Sequence, residues 1–240
     1  EQLPVHLRPG FMEKRKGSLL SFRPDIKVLD ATLRDGGLCN NFAFSDEFAR
    51  ALYAMNLAAG VDYMEMGYKA SRDLFDPAKF GKYKFCNEKD IQNIVGENKT
   101  AMKLSVMADV GRTDFRRDIG KKADSVIDMV RVACYIYEIP AAIEMIEYCH
   151  KMGYETCVNV MAVSKAKDED IDDALNMLGQ SPVDVIYMVD SYGSLYPEQV
   201  AELTKRYLAA GEKWGRSIGM HAHNNQQLAF GITIEAASWG

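Results

Sequence analysis

Short apolar segments alternate along the chain with longer segments that have helical periodicity. The apolar segments are rich in β-branched residues and are spaced by one βα unit, which is typical of buried strands. Their hydrophobicity is nearly continuous, and this favours parallel strands covered on both faces. Seven strands are predicted in this way: Ile26–Ala31, Val61–Met66, Met102–Met107, Val126–Ala133, Thr156–Val163, Val183–Val189 and Ile218–Ala222.

The segments between these strands contain helix start and stop signals. Ser45 precedes two acidic residues and an apolar stripe that ends at Gly60, which predicts a capped helix. Four further helices are predicted over Pro140–Gly153, Asp168–Gly179, Pro197–Gly211 and Asn225–Ser238. The long connection Tyr68–Asn87 follows the carboxyl end of a strand, and we expect it to act as a lid.

Alternating strands and helices form either a closed barrel or an open doubly wound sheet. We predict the α/β class and a TIM-type (β/α) barrel over residues 26–240, preceded by an N-terminal extension over residues 1–25. A closed barrel of this type has eight strands. The pattern therefore predicts a barrel truncated after its seventh βα unit, with the eighth strand supplied by a longer chain or from elsewhere.

Composition narrows the function classes. Hydrophobic residues make up 48% of the chain and charged residues 26%, as in ordinary folded domains. The net charge is −5 and the only basic cluster is the short Glu13-Lys14-Arg15-Lys16, so no nucleic-acid partner is expected. Five scattered cysteines without a C-x-x-C pair, and no apolar segment long enough to cross a bilayer, predict a cytoplasmic protein without a membrane partner.

Arg34-Asp35-Gly36-Gly37 is the first candidate for chemistry. We expect it to end the first strand, where it would place a cation and a carboxylate at the barrel mouth and where the two glycines would turn the backbone sharply. A surface ion pair before a turn is an equally good interpretation of these residues alone.

His221 and His223 are the second candidate. Residues two apart on a strand share a face, so both imidazoles would project together and could bind one divalent ion. They are two of the four histidines in the chain and lie on an otherwise apolar strand. Packing alone does not readily explain such a pair.

Two further polar groups stand at predicted strand ends. Glu65 interrupts an apolar strand and needs a partner, for which Arg34 is the natural candidate, although this could be a purely structural ion pair. Asp190-Ser191-Tyr192-Gly193 follows the sixth strand. Here Ser191 is predicted to contact the substrate, with an ordinary turn and helix cap as the alternative.

Together these motifs resemble the DRE-TIM metallolyases, which include 3-hydroxy-3-methylglutaryl-CoA lyase, 4-hydroxy-2-oxovalerate aldolase, and the isopropylmalate and homocitrate synthases. The resemblance extends from about Lys27 to the end of the chain and keeps the order of the motifs. Segments Leu29–Gly37 and Met220–Gln226 look most like the 4-hydroxy-2-oxovalerate aldolase-like branch.

The resemblance implies a role for each site residue. Asp35, His221 and His223 would be the ligands of a divalent ion, Mn²⁺ or Mg²⁺, while Arg34 would contact the substrate and Glu65 would orient Arg34. The implied reaction is carbon–carbon cleavage of a small 4-hydroxy-2-oxo acid through a pyruvate enolate. The expected partner is thus a small-molecule 2-oxo acid, and the oligomeric state is open, with a homo-oligomer among the options.

The chain also departs from this pattern. Aldolases of this branch have a histidine as general base three positions after the metal-binding aspartate, where this chain has Leu38, and we predict Tyr68 as the replacement base. The C-terminal domain that contacts a partner dehydrogenase is not seen, so such a partner is not expected. Two alternatives stay open: a Claisen-type synthase, which Gly37-Leu38 in place of Glu-Gln disfavours, and a catalytically inactive metal-binding barrel, which Leu38 favours.

Overall fold

The structure, a computed structural model, describes residues 23–240, so the basic cluster Glu13–Lys16 and most of the predicted extension lie outside the described residues. Seven parallel strands form one sheet, and each strand pairs with its neighbours in sequence. The strands are β1 (Leu29–Asp30), β2 (Tyr63–Tyr68), β3 (Lys103–Asp109), β4 (Met129–Tyr135), β5 (Glu155–Met161), β6 (Val185–Asp190) and β7 (Ser217–Ala222).

Helices follow the strands and cover the outer face of the sheet. They are α1 (Thr32–Asn40), α2 (Asp46–Ala59), α3 (Glu88–Val95), α4 (Phe115–Asp118), α5 (Ile139–Lys151), α6 (Asp168–Gln180), α7 (Pro197–Trp214) and α8 (Ala229–Trp239). Within the described range, no helix is both long and apolar enough to cross a membrane.

The sheet curls so that its first and last strands approach each other. Asp35, which follows β1, has a carboxylate oxygen 3.3 Å from the Nε2 atom of His221 on β7. β1 and β7 are at opposite ends of the strand order, so only a curled sheet can bring these side chains together. The predicted TIM-type architecture is confirmed.

Strand register assigns the two faces of this sheet. Glu65 lies opposite Ser105, and two residues further along β3 Met107 lies opposite Arg131. Because side chains alternate along a strand, these residues share the inner face of the curl. Tyr68 would point outward by simple alternation from Glu65, but a register shift between the two places it opposite Met107, on the inner face.

Gly67 makes this shift sterically feasible. Its φ of +149° belongs to a region that side-chain-bearing residues rarely adopt, and a Cβ at this position would overlap the carbonyl oxygen of Tyr83. The neighbouring connection, residues 69–87, is packed against the barrel mouth, with Tyr83 and Lys84 buried in a short 3₁₀ helix at Lys82–Lys84. Its role as a lid stays a prediction.

The predicted first strand, Ile26–Ala31, is too long at both ends, and the expectation that Arg34-Asp35-Gly36-Gly37 ends it is wrong. β1 ends at Asp30, whose carboxylate accepts hydrogen bonds from the backbone N–H (3.2 Å) and the hydroxyl (2.7 Å) of Thr32. These bonds start a turn, so Arg34-Asp35-Gly36-Gly37 lies in helix α1 instead of ending a strand. Neither glycine has a positive φ; a Cβ at Gly37 would overlap the ring of Phe42.

Most predicted helices are confirmed, with changed ends. The Ser45 hydroxyl accepts the N–H of Phe48 at 3.1 Å, and Gly60 terminates α2 with φ +74°. Helix α7 continues past the predicted end to Trp214 and is terminated by Gly215 with φ +64°, while at Gly211 a Cβ would lie 2.7 Å from the carbonyl oxygen of Arg216. Helix α8 begins only at Ala229, whose N–H is bound by the Asn224 side chain at 3.2 Å.

Candidate active site

Three predicted metal ligands converge at the carboxyl ends of the strands. The Oδ2 atom of Asp35 lies 3.3 Å from the Nε2 atom of His221 and 3.4 Å from that of His223. The two Nε2 atoms are 3.4 Å apart, so the imidazoles do project together as predicted, although His223 lies one residue past the end of β7. One ligand atom from each residue lies within 4.8 Å of the others, a spacing suited to a single ion.

Hydrogen bonds and burial set the charge state of these groups. The Nδ1 atom of His223 is 3.0 Å from the carbonyl oxygen of Asp190, so a neutral ring that donates here has its Nε2 lone pair available for a metal ion, whereas a protonated ring can donate from Nε2 to Asp35. Burial lowers the pKa of His221, whereas the hydrogen bond to Asp35 raises the pKa of His223. Burial opposes ionisation of Asp35, but the two imidazoles and Arg34 hold its pKa well below the usual range.

Arg34 connects Asp35 with the interior of the curled sheet. It lies in the first turns of α1 and is buried; its Nη1 donates to Asp35 Oδ1 at 2.7 Å and its Nε to Glu65 Oε2 at 2.8 Å. Burial works against its charge, yet Glu65, Tyr68 and Asp35 together raise the pKa of Arg34 above its ordinary value. The predicted pairing of Arg34 with Glu65 is confirmed.

A second arginine, which the sequence analysis missed, shares Glu65. Arg131 on β4 is fully buried and donates from Nη1 to the same Glu65 oxygen at 2.7 Å. Its Nη2 donates to Asn159 Oδ1 at 3.0 Å, and its guanidinium lies 4.6 Å from the ring centre of Tyr187. An arginine inside an otherwise apolar strand was the available signal, because a buried charge requires a buried partner.

Tyr68 lies on the inner face beside these charges. Burial, opposed by Arg34 and reinforced by Asp109 and Glu65, raises the pKa of Tyr68 to about 12. The phenol is therefore protonated at neutral pH, which suits a hydrogen-bond donor better than the predicted general base. The role of Tyr68 as the base stays a prediction without support from its environment.

Ser191 has a local structural task. Its hydroxyl accepts the N–H of Ala162 at 2.9 Å and so links the segments that follow β5 and β6. The preceding Asp190 carboxylate accepts the N–H groups of Ser194 (3.1 Å) and Leu195 (3.0 Å). These hydrogen bonds are typical of an ordinary turn, which the sequence analysis gave as the alternative to a substrate contact. A substrate contact of Ser191 stays a prediction.

Asp109 is another residue that the sequence analysis missed. It ends β3 two residues after Met107 and therefore faces the barrel interior at its open end. Its Oδ1 atom is buried and, among the described residues, has no hydrogen-bond partner. Burial, opposed by Lys84, Arg112 and Arg34, raises the pKa of Asp109.

A curled parallel sheet with ionisable groups gathered at its carboxyl ends places the protein among the (β/α)-barrel proteins, whose active sites occupy this face. Within that class, the HMGL-like family model matches residues 25–240, and the chain belongs to this family. The resemblance of the motifs to the DRE-TIM metallolyases is thereby confirmed.

Individual relatives agree with this assignment. The chain is 27% identical over 220 residues to a 4-hydroxy-2-oxovalerate aldolase from Bacillus cereus (strain ATCC 10987 / NRS 248). This match covers 92% of this chain and 62% of the relative. The crystal structure of the N-terminal domain of a proposed aldolase from Bacteroides vulgatus is 27% identical, with a TM-score of 0.75, and covers 90% of this chain and 70% of that one.

The fold extends to more distant proteins. The HMG-CoA lyase from Brucella melitensis superposes with a TM-score of 0.68 at 15% identity, covering 90% of this chain and 78% of that one. The chain spans about three fifths of the length of the curated relatives it matches.

Proposed function

We propose that the protein is a divalent-metal-dependent carbon–carbon lyase that cleaves a small 4-hydroxy-2-oxo acid into pyruvate and an aldehyde. The convergence of Asp35 Oδ2 and the two Nε2 atoms of His221 and His223, next to the buried Arg34, is the observation that carries this proposal. Family membership and relatives with the name 4-hydroxy-2-oxovalerate aldolase support it.

The residues present fit a divalent ion. The Oδ1 atom of Asp35 is bound by Arg34, which leaves Oδ2 directed at the two imidazoles, and Asp190 fixes the ring of His223. One carboxylate and two imidazoles suit Mn²⁺ or Mg²⁺, with the imidazoles favouring Mn²⁺. Three protein ligands leave positions for the carboxylate and keto oxygens of a 2-oxo acid. When bound, the ion supplies a Lewis acid at the keto oxygen.

Arg34 is the residue of this chain that would stabilise the transition state. Negative charge develops on the keto oxygen during cleavage, and a guanidinium held beforehand by Glu65 and Asp35 can donate to that oxygen without reorganising. Arg131 shares the Glu65 carboxylate, so it holds the Glu65 oxygen that positions Arg34. Tyr68 is protonated at neutral pH, so it would act here as a hydrogen-bond donor.

A catalytically inactive metal-binding barrel is the second candidate. Its support is Leu38, which is 59% exposed in the last part of α1 and offers no proton carrier where the resembling aldolases have histidine.

Two assays with Mn²⁺ or Mg²⁺ separate the candidates. The first follows pyruvate release from a panel of 4-hydroxy-2-oxo acids, and the second follows deuterium incorporation into the pyruvate methyl group in D₂O by NMR. The lyase is expected to give both activities above a metal-only control. A protein that binds metal but gives neither activity would be the inactive barrel.

A further inference from the structure

Asp109 occupies a position at which a barrel enzyme holds reacting groups. The inner-face residues of β3 are Ser105, Met107 and Asp109, of which Asp109 is the last, at the carboxyl end of the strand. Tyr68, opposite Met107 on the neighbouring strand, has its ring 6.0 Å from the guanidinium carbon of Arg34. The carboxylate therefore stands on the β3 side of the same mouth that Arg34 and the histidines occupy.

The Asp109 carboxylate is incompletely partnered. Its Oδ1 atom is buried without a hydrogen-bond donor in the described part of the chain, and its Oδ2 atom has only Arg112 at 4.0 Å, whose side chain is largely exposed. A buried carboxylate oxygen without a donor is costly in a stable fold. A substrate hydroxyl directed at Oδ1 would supply the missing donor.

Lys84 is a second buried ionisable group next to Asp109. Its side chain is enclosed by aromatic rings, and its Nζ atom lies 4.2 Å from the ring centre of Phe75 and 4.4 Å from that of Tyr68. No carboxylate lies within ion-pair distance of it among residues 23–240, although its charge and that of Asp109 act on each other. Burial lowers the pKa of Lys84, and the rings stabilise its cationic form.

We propose that Asp109 is the general base that accepts the proton of the substrate 4-hydroxyl group, and that Lys84 is a positioning residue whose ammonium stabilises the Asp109 carboxylate. This inference rests on the proposed function. It gives the chain a proton acceptor at the aldehyde side of the pocket, which Leu38 cannot provide.

The step balances without any added reagent. The Asp109 carboxylate takes the proton of the C4 hydroxyl, the C4–O bond becomes the aldehyde carbonyl, and the C3–C4 bond breaks. The electron pair of that bond forms the C2–C3 double bond and leaves negative charge on the C2 oxygen, next to Arg34. A proton from solvent then adds to C3 and gives pyruvate, and the carboxyl of Asp109 releases its proton to solvent, which regenerates the base.

The first test is Asp109→Asn in the full chain, which keeps the shape of the side chain and removes the base. General-base catalysis contributes about 10²–10⁴-fold, so kcat/KM for cleavage of 4-hydroxy-2-oxovalerate should fall by that factor. Deuterium exchange of pyruvate should persist, since enolisation requires no proton acceptor at the aldehyde side. Asp172→Asn is the matched control, because it makes the same change at an exposed carboxylate of α6 that is paired with Arg206, and it should leave cleavage near the wild-type rate.

The outcomes separate this inference from the proposed function. If the wild type gives neither cleavage nor exchange, the proposed function fails and the inference fails with it. If the wild type cleaves and Asp109→Asn cleaves as fast, only the role of Asp109 is overturned. Equal loss of cleavage and exchange in Asp109→Asn would also overturn it, because Asp109 would then support the whole site.

The second test is the pH profile of Lys84→Met. The ionised base requires pH above the pKa of Asp109, which burial and Glu65 raise and which Lys84, Arg112 and Arg34 lower. Removal of the Lys84 charge should therefore shift the acid limb of kcat/KM to higher pH, with the plateau rate retained. Lys84→Arg keeps the charge and should restore the wild-type limb. An unshifted limb with a uniformly lower rate in Lys84→Met would make Lys84 merely structural.

Discussion

Arg34 links the candidate metal ligands to the buried interior, because its guanidinium binds Asp35 on one side and Glu65 on the other. A planar group that makes both bonds in fixed directions still has donors for a substrate oxygen. A lysine ammonium cannot reproduce these directions, since it is a point charge on a flexible chain.

Arg34→Lys should consequently be far from conservative. We expect kcat for cleavage to fall by about 10²–10³, the typical cost of losing an oriented donor to a developing oxyanion. Steady-state kinetics with saturating Mn²⁺ measures this, with the exposed Arg116→Lys as the control. A near wild-type kcat in Arg34→Lys would show that Arg34 has a structural role only.

Glu65 should matter for stability as well. It is fully buried and neutralises two arginines through one oxygen, so Glu65→Gln leaves buried positive charge uncompensated. We expect the free energy of unfolding to fall by about 3–5 kcal/mol, the typical cost of removing one member of a buried ion pair.

Denaturant unfolding measures this change. The control is Glu144→Gln, which breaks the exposed pair with Arg116 and should cost about 1 kcal/mol or less. Equal effects of the two substitutions would mean that the buried cluster contributes little beyond a surface pair.

At the scale of single elements, helix α1 departs most from what the sequence pattern indicates. Its segment has two adjacent glycines and no strong apolar period, so neither helix propensity nor amphipathicity signals it. The two glycines differ in surroundings: a Cβ at Gly36 would be 3.7 Å from Phe44, whereas at Gly37 it would overlap the Phe42 ring.

Alanine substitutions at these two positions should therefore have opposite effects. Gly36→Ala should stabilise the protein by about 0.4–1 kcal/mol, because alanine restricts the unfolded chain and fits the helix. Gly37→Ala should destabilise it by about 1–3 kcal/mol through overpacking against Phe42. Chemical denaturation of both variants checks the difference, and stabilisation by Gly37→Ala would contradict the packing seen here.

The remaining elements could be predicted where their sequence signals are local. Strands β2 to β7 and the longer helices could be predicted, because apolar runs and caps are local signals. Of the candidate site, the meeting of Arg34 with Glu65 and of Asp35 with the two histidines could be predicted from unusual polar residues near strand ends, although Arg34 and Asp35 lie in helix α1. Arg131 and Asp109 were missed, because their importance comes from partners, or the lack of one, across strands distant in sequence.

For the molecule as a whole, the candidate metal site joins the two ends of the sheet. Asp35 follows β1, His221 lies on β7 and His223 directly follows β7, so an ion bound by all three would couple these ends. Binding to the folded state alone stabilises it by about 2.7 kcal/mol when free metal is at a hundred times Kd.

This stabilisation should raise Tm by about 5–11 °C in a protein of this size. The shift should disappear in His221→Ala, with metal content strongly reduced, and persist in His150→Ala, which alters an exposed histidine on α5. Thermal scans with and without Mn²⁺, together with metal analysis, provide the measurement. Full metal content and an unchanged shift in His221→Ala would place the ion elsewhere.

The sequential order of the strands also has a consequence for how the chain reaches this structure. Because each strand pairs with the next one in sequence, the sheet can grow in the order of synthesis from contacts close in the chain. The Asp35–His221 contact has the opposite character, since it requires β1 and β7 to meet after every intervening strand has docked. We expect the candidate metal site to be among the last parts to form. The time at which the refolding protein gains metal affinity would therefore report when the two ends of the sheet come together.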